Sequence, residues 1–148
     1  MRCFKMQLKR RGGFTLVELA VVIVIIGVLA AFGVPRSLKS VERAKAAEAF
    51  AYLSAVRSAQ ERYAARQGTY AANVTDLDIS QSPPTYFTVG TVAAGDSGSL
   101  ESSWSLTLTR TGPSSGYGAY TVIFTQDGLD TTNSTIVGLP DINPMGTN

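Results

Sequence analysis

Residues 14–34 form an unbroken run of 21 positions in which Glu18 is the sole charge. No other feature constrains the fold as tightly. About 20 mostly apolar residues can cross a bilayer as a helix, which satisfies its own backbone where water is absent. A charge at that depth costs about 2.5–3.5 kcal/mol on insertion scales, so a retained carboxylate has a partner or a task. Arg2, Lys5, Lys9, Arg10 and Arg11 precede the run. Such a basic flank holds the amino end in the cytoplasm and sends the remainder outward.

Several readings of residues 1–34 compete. A secretory signal needs a basic region, an apolar stretch of about 7–15 residues and small residues before the cut. Ala31 and Gly33 could supply the small residues, but the run is too long and Glu18 interrupts it. Arg10-Arg11 ahead of Phe14 hints at a twin-arginine signal, with a spacing that does not fit. A plain anchor explains length and orientation but neither Glu18 nor Gly12-Gly13. A cut between Gly13 and Phe14 would create an amino group one helical turn from Glu18. Positions i and i+4 share a helix face, and the amino end of a helix favours negative charge. Between copies, a buried Glu18 facing a neighbour's Phe14 amine would set axial register, because buried pairs specify more than they stabilise.

The chain has 148 residues, 45% of them hydrophobic, consistent with one domain and an appended segment. Its formal charge of +2 comes from 13 basic and 11 acidic side chains. Without the five leader charges, eight basic residues face the same 11 acids, a net −3. No basic face for nucleic acid survives, since such binding rests on Lys and Arg at phosphates. Cys3 is the only cysteine and histidine is absent, so an intramolecular disulfide, a thiolate cluster and the commonest general base and zinc ligand are all missing. Catalysis would need Ser, Lys, Asp or Tyr alone, and no such motif is visible. The chain is therefore expected not to be an enzyme.

Arg11-Gly12-Gly13-Phe14-Thr15-Leu16-Val17-Glu18-Leu19 resembles the type III signal of type IV pilins and of type II secretion pseudopilins. The likeness is strong over residues 9–35 and looser to about residue 80. The resemblance implies that a membrane aspartyl prepilin peptidase cuts after Gly13 and methylates the amine of Phe14, with Glu18 as the fifth mature residue serving assembly. Glycine suits such a cut, because its bare, adaptable backbone lies extended in a protease cleft. Gly27 and Pro35 fall where the family often has a helix-loosening glycine and a kinking proline. The resemblance further implies a helical filament of identical subunits, a membrane platform protein and an assembly ATPase. It also implies a localisation in the bacterial inner membrane, single pass with the amino end cytoplasmic, and then in a periplasmic or cell-surface filament. Pilins with this leader carry two carboxy-terminal cysteines that this chain lacks, so pilin and pseudopilin stand about even. Some pseudopilins hold calcium in the corresponding loop. Asp127, Asp130 and Asp141 are the acids available there, but their spacing matches no calcium pattern. No cofactor is expected apart from that option.

Four segments follow: a cleaved leader over 1–13, a transmembrane and filament-core helix over 14–35, an amphipathic half of the same helix over 36–67, and a head over 68–148. The expected fold is α+β, a long helix on a small antiparallel sheet. Pro35 predicts a kink or local loss of helix over 33–37. Ala46, Ala49, Phe50, Leu53, Val56 and Tyr63 make an apolar stripe at helical spacing. Lys39, Glu42, Glu48, Arg57 and Glu61 fall on other faces, with Arg57 and Glu61 as an i,i+4 pair. Gly68 is the expected stop, and Ser82-Pro83-Pro84 a break before strands. Residues 86–92 are a weak strand. Trp104, Leu106 and Leu108 alternate with Ser105, Thr107 and Thr109, as do Tyr120, Val122 and Phe124 with their neighbours. A turn over 112–118 joins these two strands as a hairpin. Residues 95–99 read as a mobile loop and 135–138 as a short strand. Asn73 and Asn133 begin glycosylation-type triplets. The competing class is a single-pass anchored binding protein that never polymerises.

Overall fold

The computed structural model describes residues 13–146, which divide into two units between Arg36 and Ser37. The helix α1 (Leu16–Gln67) runs through both. In the first unit every described residue is exposed, and this part of α1 is long and apolar enough to cross a membrane. The helix continues through residues 33–37 around Pro35.

In the second unit α1 becomes amphipathic. Glu42, Ala46, Ala49, Phe50, Leu53, Val56 and Gln60 are buried at alternating steps of mostly three and four, the signature of one helix face. At the far end Gly68 takes φ +78° and donates its N–H to Ala64 O at 2.8 Å, a left-handed stop that glycine reaches without strain. The chain then folds back along α1. Gln60 clamps it in both directions, donating Nε2 to Ala71 O at 3.0 Å and accepting the Ala71 N–H at 2.8 Å.

The sheet is antiparallel: β1 (Phe87–Val89), β2 (Ala93–Ala94), β3 (Trp104–Arg110), β4 (Thr121–Thr125) and β5 (Gly128–Leu129). β3 is central, bordered by β1 and β2 on one side and by β4 on the other, with β5 beyond β4. Leu106 lies opposite Phe124 and Leu108 opposite Val122. One face of β3 and of β4 is therefore apolar, and that face packs in one core with the α1 stripe. Phe50 and Phe124 pack edge to face at 5.7 Å, and Phe87 and Tyr120 at 5.8 Å, the arrangement that aromatic quadrupoles favour. Ile136 and Ile142 from the carboxy-terminal segment complete the core. The α+β architecture and the β3–β4 hairpin agree with the sequence.

Four local expectations are corrected. Residues 135–138 form a short 3-10 helix, Thr135–Gly138, because hydroxyls take the place of a pairing strand. Thr135 Oγ1 accepts the Thr121 N–H at 2.7 Å and Ser134 Oγ the Ile123 N–H at 2.9 Å. Residues 95–99 form a bonded turn: Ser97 N–H and Oγ lie 3.1 and 2.5 Å from Ser103 Oγ. Arg57 and Glu61 bond elsewhere, Arg57 Nε to Gln126 O at 2.7 Å and Glu61 Oε1 to Tyr70 Oη at 3.4 Å. Glu42 lies on the buried face of α1, for a reason given below.

Candidate functional site

Arg10, Arg11 and Gly12 lie outside the described residues, so the geometry begins at Gly13. Gly13 and Phe14 precede the helix and are exposed, and a side chain added at Gly13 would meet nothing within 4 Å. The 13–14 peptide bond thus stands clear of helical hydrogen bonding, as a bond drawn into an extended protease cleft must. Helix α1 opens with reciprocal capping. Thr15 Oγ1 accepts the Glu18 N–H at 3.2 Å, while Glu18 Oε2 accepts both the Thr15 N–H and the Thr15 hydroxyl at 2.9 Å. This is the capping box of a Thr and a Glu three residues on. In a single chain the carboxylate is thus satisfied locally by Thr15, the residue after Phe14.

Within the first unit, all described residues of α1 beyond Glu18 are exposed. Leu16 is 84% exposed and Phe32 78%, an apolar surface far larger than scattered surface residues need. A side chain added at Gly27 or Gly33 would touch nothing within 4 Å. A glycine inside a helix costs about 1 kcal/mol relative to alanine, and the chain's own packing supplies no reason to accept that at these two positions.

The second unit holds a buried cluster. Glu42 is fully buried, with Arg110 and Tyr120 nearly so. Arg110 donates Nε to Glu42 Oε1 at 2.6 Å and Nη2 to Oε2 at 3.0 Å, and the Tyr120 hydroxyl donates to Oε1 at 2.9 Å. The remaining guanidinium hydrogens go to the carbonyls of Tyr86, Thr111 and Pro113. Burial pushes the Glu42 carboxyl up, but the bonds from Arg110 and Tyr120 and the charges of Arg110 and Lys45 outweigh it, leaving its pKa below the usual range. Burial, then Glu42, push the Tyr120 hydroxyl well up. The cluster joins α1 to the end of β3 and to two loops, as a structural pin. A signal for it existed: Arg110 continues the inward phase of Trp104, Leu106 and Leu108, and Glu42 continues the spacing of Ala46 and Ala49. An inward arginine requires an inward acid.

The three acids considered for calcium are not brought together. Asp127 Oδ2 accepts from Gln126 Nε2, Asp130 caps the N–H groups of Thr132 and Asn133, and Asp141 bonds Lys39. Among the described residues no group of three or more His, Cys, Asp or Glu could hold a metal. At the Asn133 triplet, Nδ2 bonds Asp130 at 2.7 Å and Thr135 is engaged with Thr121.

Residues 8–34 match the prokaryotic N-terminal methylation motif. The chain is 36% identical over 80 residues to type II secretion system core protein G of Aeromonas hydrophila, covering 54% of this chain and 56% of that protein. It is 40% identical over 71 residues to the type IV major pilin protein PilA of Myxococcus xanthus, 48% of this chain and 32% of the relative. It is 54% identical over 50 residues to the type IV narrow pilus major component PilA5 of Thermus thermophilus, 34% of this chain and 43% of the relative. The chain spans about half the length, or less, of these curated relatives.

Proposed function

We propose that this chain is a structural filament subunit made as a membrane precursor, a reading supported by the match of residues 8–34 to the prokaryotic N-terminal methylation motif and by the partial likeness to type IV pilins and a type II secretion core protein. The amino end stays cytoplasmic, a prepilin peptidase cuts after Gly13 and methylates Phe14, and the mature helix leaves lipid for a core shared with other copies. The observation that carries this reading is an apolar half-helix, capped by Glu18, whose side chains are exposed among the described residues. Moving such a helix from lipid into a helical core exchanges one dry surface for another, so packing and polar pairing decide the outcome. There Glu18 gives up Thr15 for a neighbour's Phe14 amine, which sets the axial step. Pro35 bends the helix where it leaves the shared core. A platform protein and an assembly ATPase supply the extraction work. No cofactor enters.

Intact mass of the membrane-extracted protein tests the processing: a chain beginning at Phe14 with one added methyl is expected, and one beginning at Met1 overturns it. Glu18→Leu tests the assembly. The variant is expected to reach the membrane and lose filaments, whereas filaments of unchanged geometry would leave a plain anchor as the better account. Relatives of both kinds match, and deleting the gene separates them through loss of surface fibres or loss of protein secretion.

A further inference from the structure

Charge is divided unevenly within the second unit. Residues 68–148 carry seven acids and one base, Arg110, whereas residues 37–67 carry six bases and three acids. Arg110 is buried and committed to Glu42, so the sheet and its loops offer no exposed cation to their own acids. On α1, Lys39 bonds Asp141, Lys45 bonds Glu42 and Arg57 bonds Gln126 O, while Arg43 is half-buried. Arg62 and Arg66 differ. Both are exposed, they lie four apart on one helix face, and among the described residues neither forms an ion pair. Arg62 Nη2 donates to a carbonyl, Asp78 O, at 2.9 Å.

The opposite sign borders the face of the sheet turned away from α1. Ser105 and Thr107 of β3 and Ile123 and Thr125 of β4 alternate with the core residues, so they line that outer face. Together with Asp96 and Asp130 they line a hollow of about 290 Å³, and none of the described residues lining it is Lys or Arg. Asp96 is exposed. Asp130 accepts from Asn133 Nδ2 and from the N–H groups of Asn133 and Thr132, bonds that hold its pKa below the usual range. A carboxylate has about four lone-pair sites, so one stays open to an outside donor. The core side of the sheet is occupied by α1, and the chain's own arginines therefore lie across the sheet from this hollow. We infer that the hollow receives Arg62 and Arg66 from the last turns of α1 of a second copy of this chain, two cations against two carboxylates. The guanidinium fork meets carboxylates bidentately and donates its other hydrogens to neighbouring oxygens, here the hydroxyls of Ser105 and Thr107. Two different surfaces meet in this contact, so it is heterologous and repeats head to tail, the geometry of an open helical polymer. The inference deepens the filament reading above and rests on it.

The test uses the full chain in a Cys3→Ser background, which removes the only cysteine. Thr107→Cys marks the hollow and Ala65→Cys the arginine face. Intact cells are treated with a short bismaleimide, and filaments are collected and resolved under denaturing conditions. A chain with both substitutions is expected to give a ladder of covalent multimers, a mixture of the two single variants dimers only, and each single variant alone none. Arg62→Glu with Arg66→Glu should cut the ladder about tenfold and Asp96→Lys about fivefold, because like charges then face each other. Filaments that form without a 65–107 cross-link, or whose ladder is indifferent to the charge reversals, overturn the inference alone. Dimers from Thr107→Cys alone mark face-to-face pairing of two sheets and also overturn it. A chain that forms no filaments in any background, the unsubstituted one included, overturns the filament reading together with this inference.

Discussion

The two halves of α1 share one helix and differ in everything that stabilises it. Over residues 16–34 Leu, Ile, Val and Phe side chains are exposed, Leu29 by 66%, whereas Ala46, Ala49, Leu53 and Val56 are wholly buried. The second half is held by its own sheet, and the first is exposed along its whole described length. Packing within the chain therefore stabilises one half of the helix and not the other, and substitutions sort by which half they touch.

The largest stability loss is expected at the buried pin. Arg110→Ala strands Glu42 in the core and should cost about 3–5 kcal/mol, read by denaturant unfolding through Trp104, the only tryptophan, which is buried. Leu53→Ala should cost about 2–5 kcal/mol in the same measurement. Its counterpart Leu29→Ala should stay within about 0.5 kcal/mol while reducing filament yield; an equal loss of stability in both would break the comparison. Tyr120→Phe removes a hydrogen bond to a charged group and should cost about 1.5–3 kcal/mol. The pin also sets an acid response. With its folded pKa depressed, Glu42 contributes fully above the unfolded value near 4.3 and loses that contribution as pH falls through the lower folded value. Glu42→Gln should flatten the acid limb of a stability–pH curve. The smallest effect belongs to Gly27→Ala, which should raise helix stability in micelles by about 1 kcal/mol; reduced filament yield despite that gain would show that the glycine serves contacts between copies.

Features that depend on local pattern were legible in the sequence. The alternation of Trp104, Leu106 and Leu108 marked β3, Gly68 marked the end of α1, and the resemblance over residues 9–35 is matched by the motif over 8–34. Features resting on distant partners were not. Glu42 reads as surface because its counter-charge lies 68 residues away. The 3-10 turn at Thr135–Gly138 reads as a strand because its apolar residues are β-branched, while the outcome follows from hydroxyls engaging β4. The Thr15–Glu18 box is local, yet its meaning emerges only beside the uncovered helix that follows it.

The hydroxyls of Ser134 and Thr135 that occupy the flank of β4 have a consequence for polymer architecture. An unblocked strand would invite another molecule to extend the ladder, the route by which cross-β fibres grow. With that flank chemically sealed, a strand from another copy cannot add there by backbone templating.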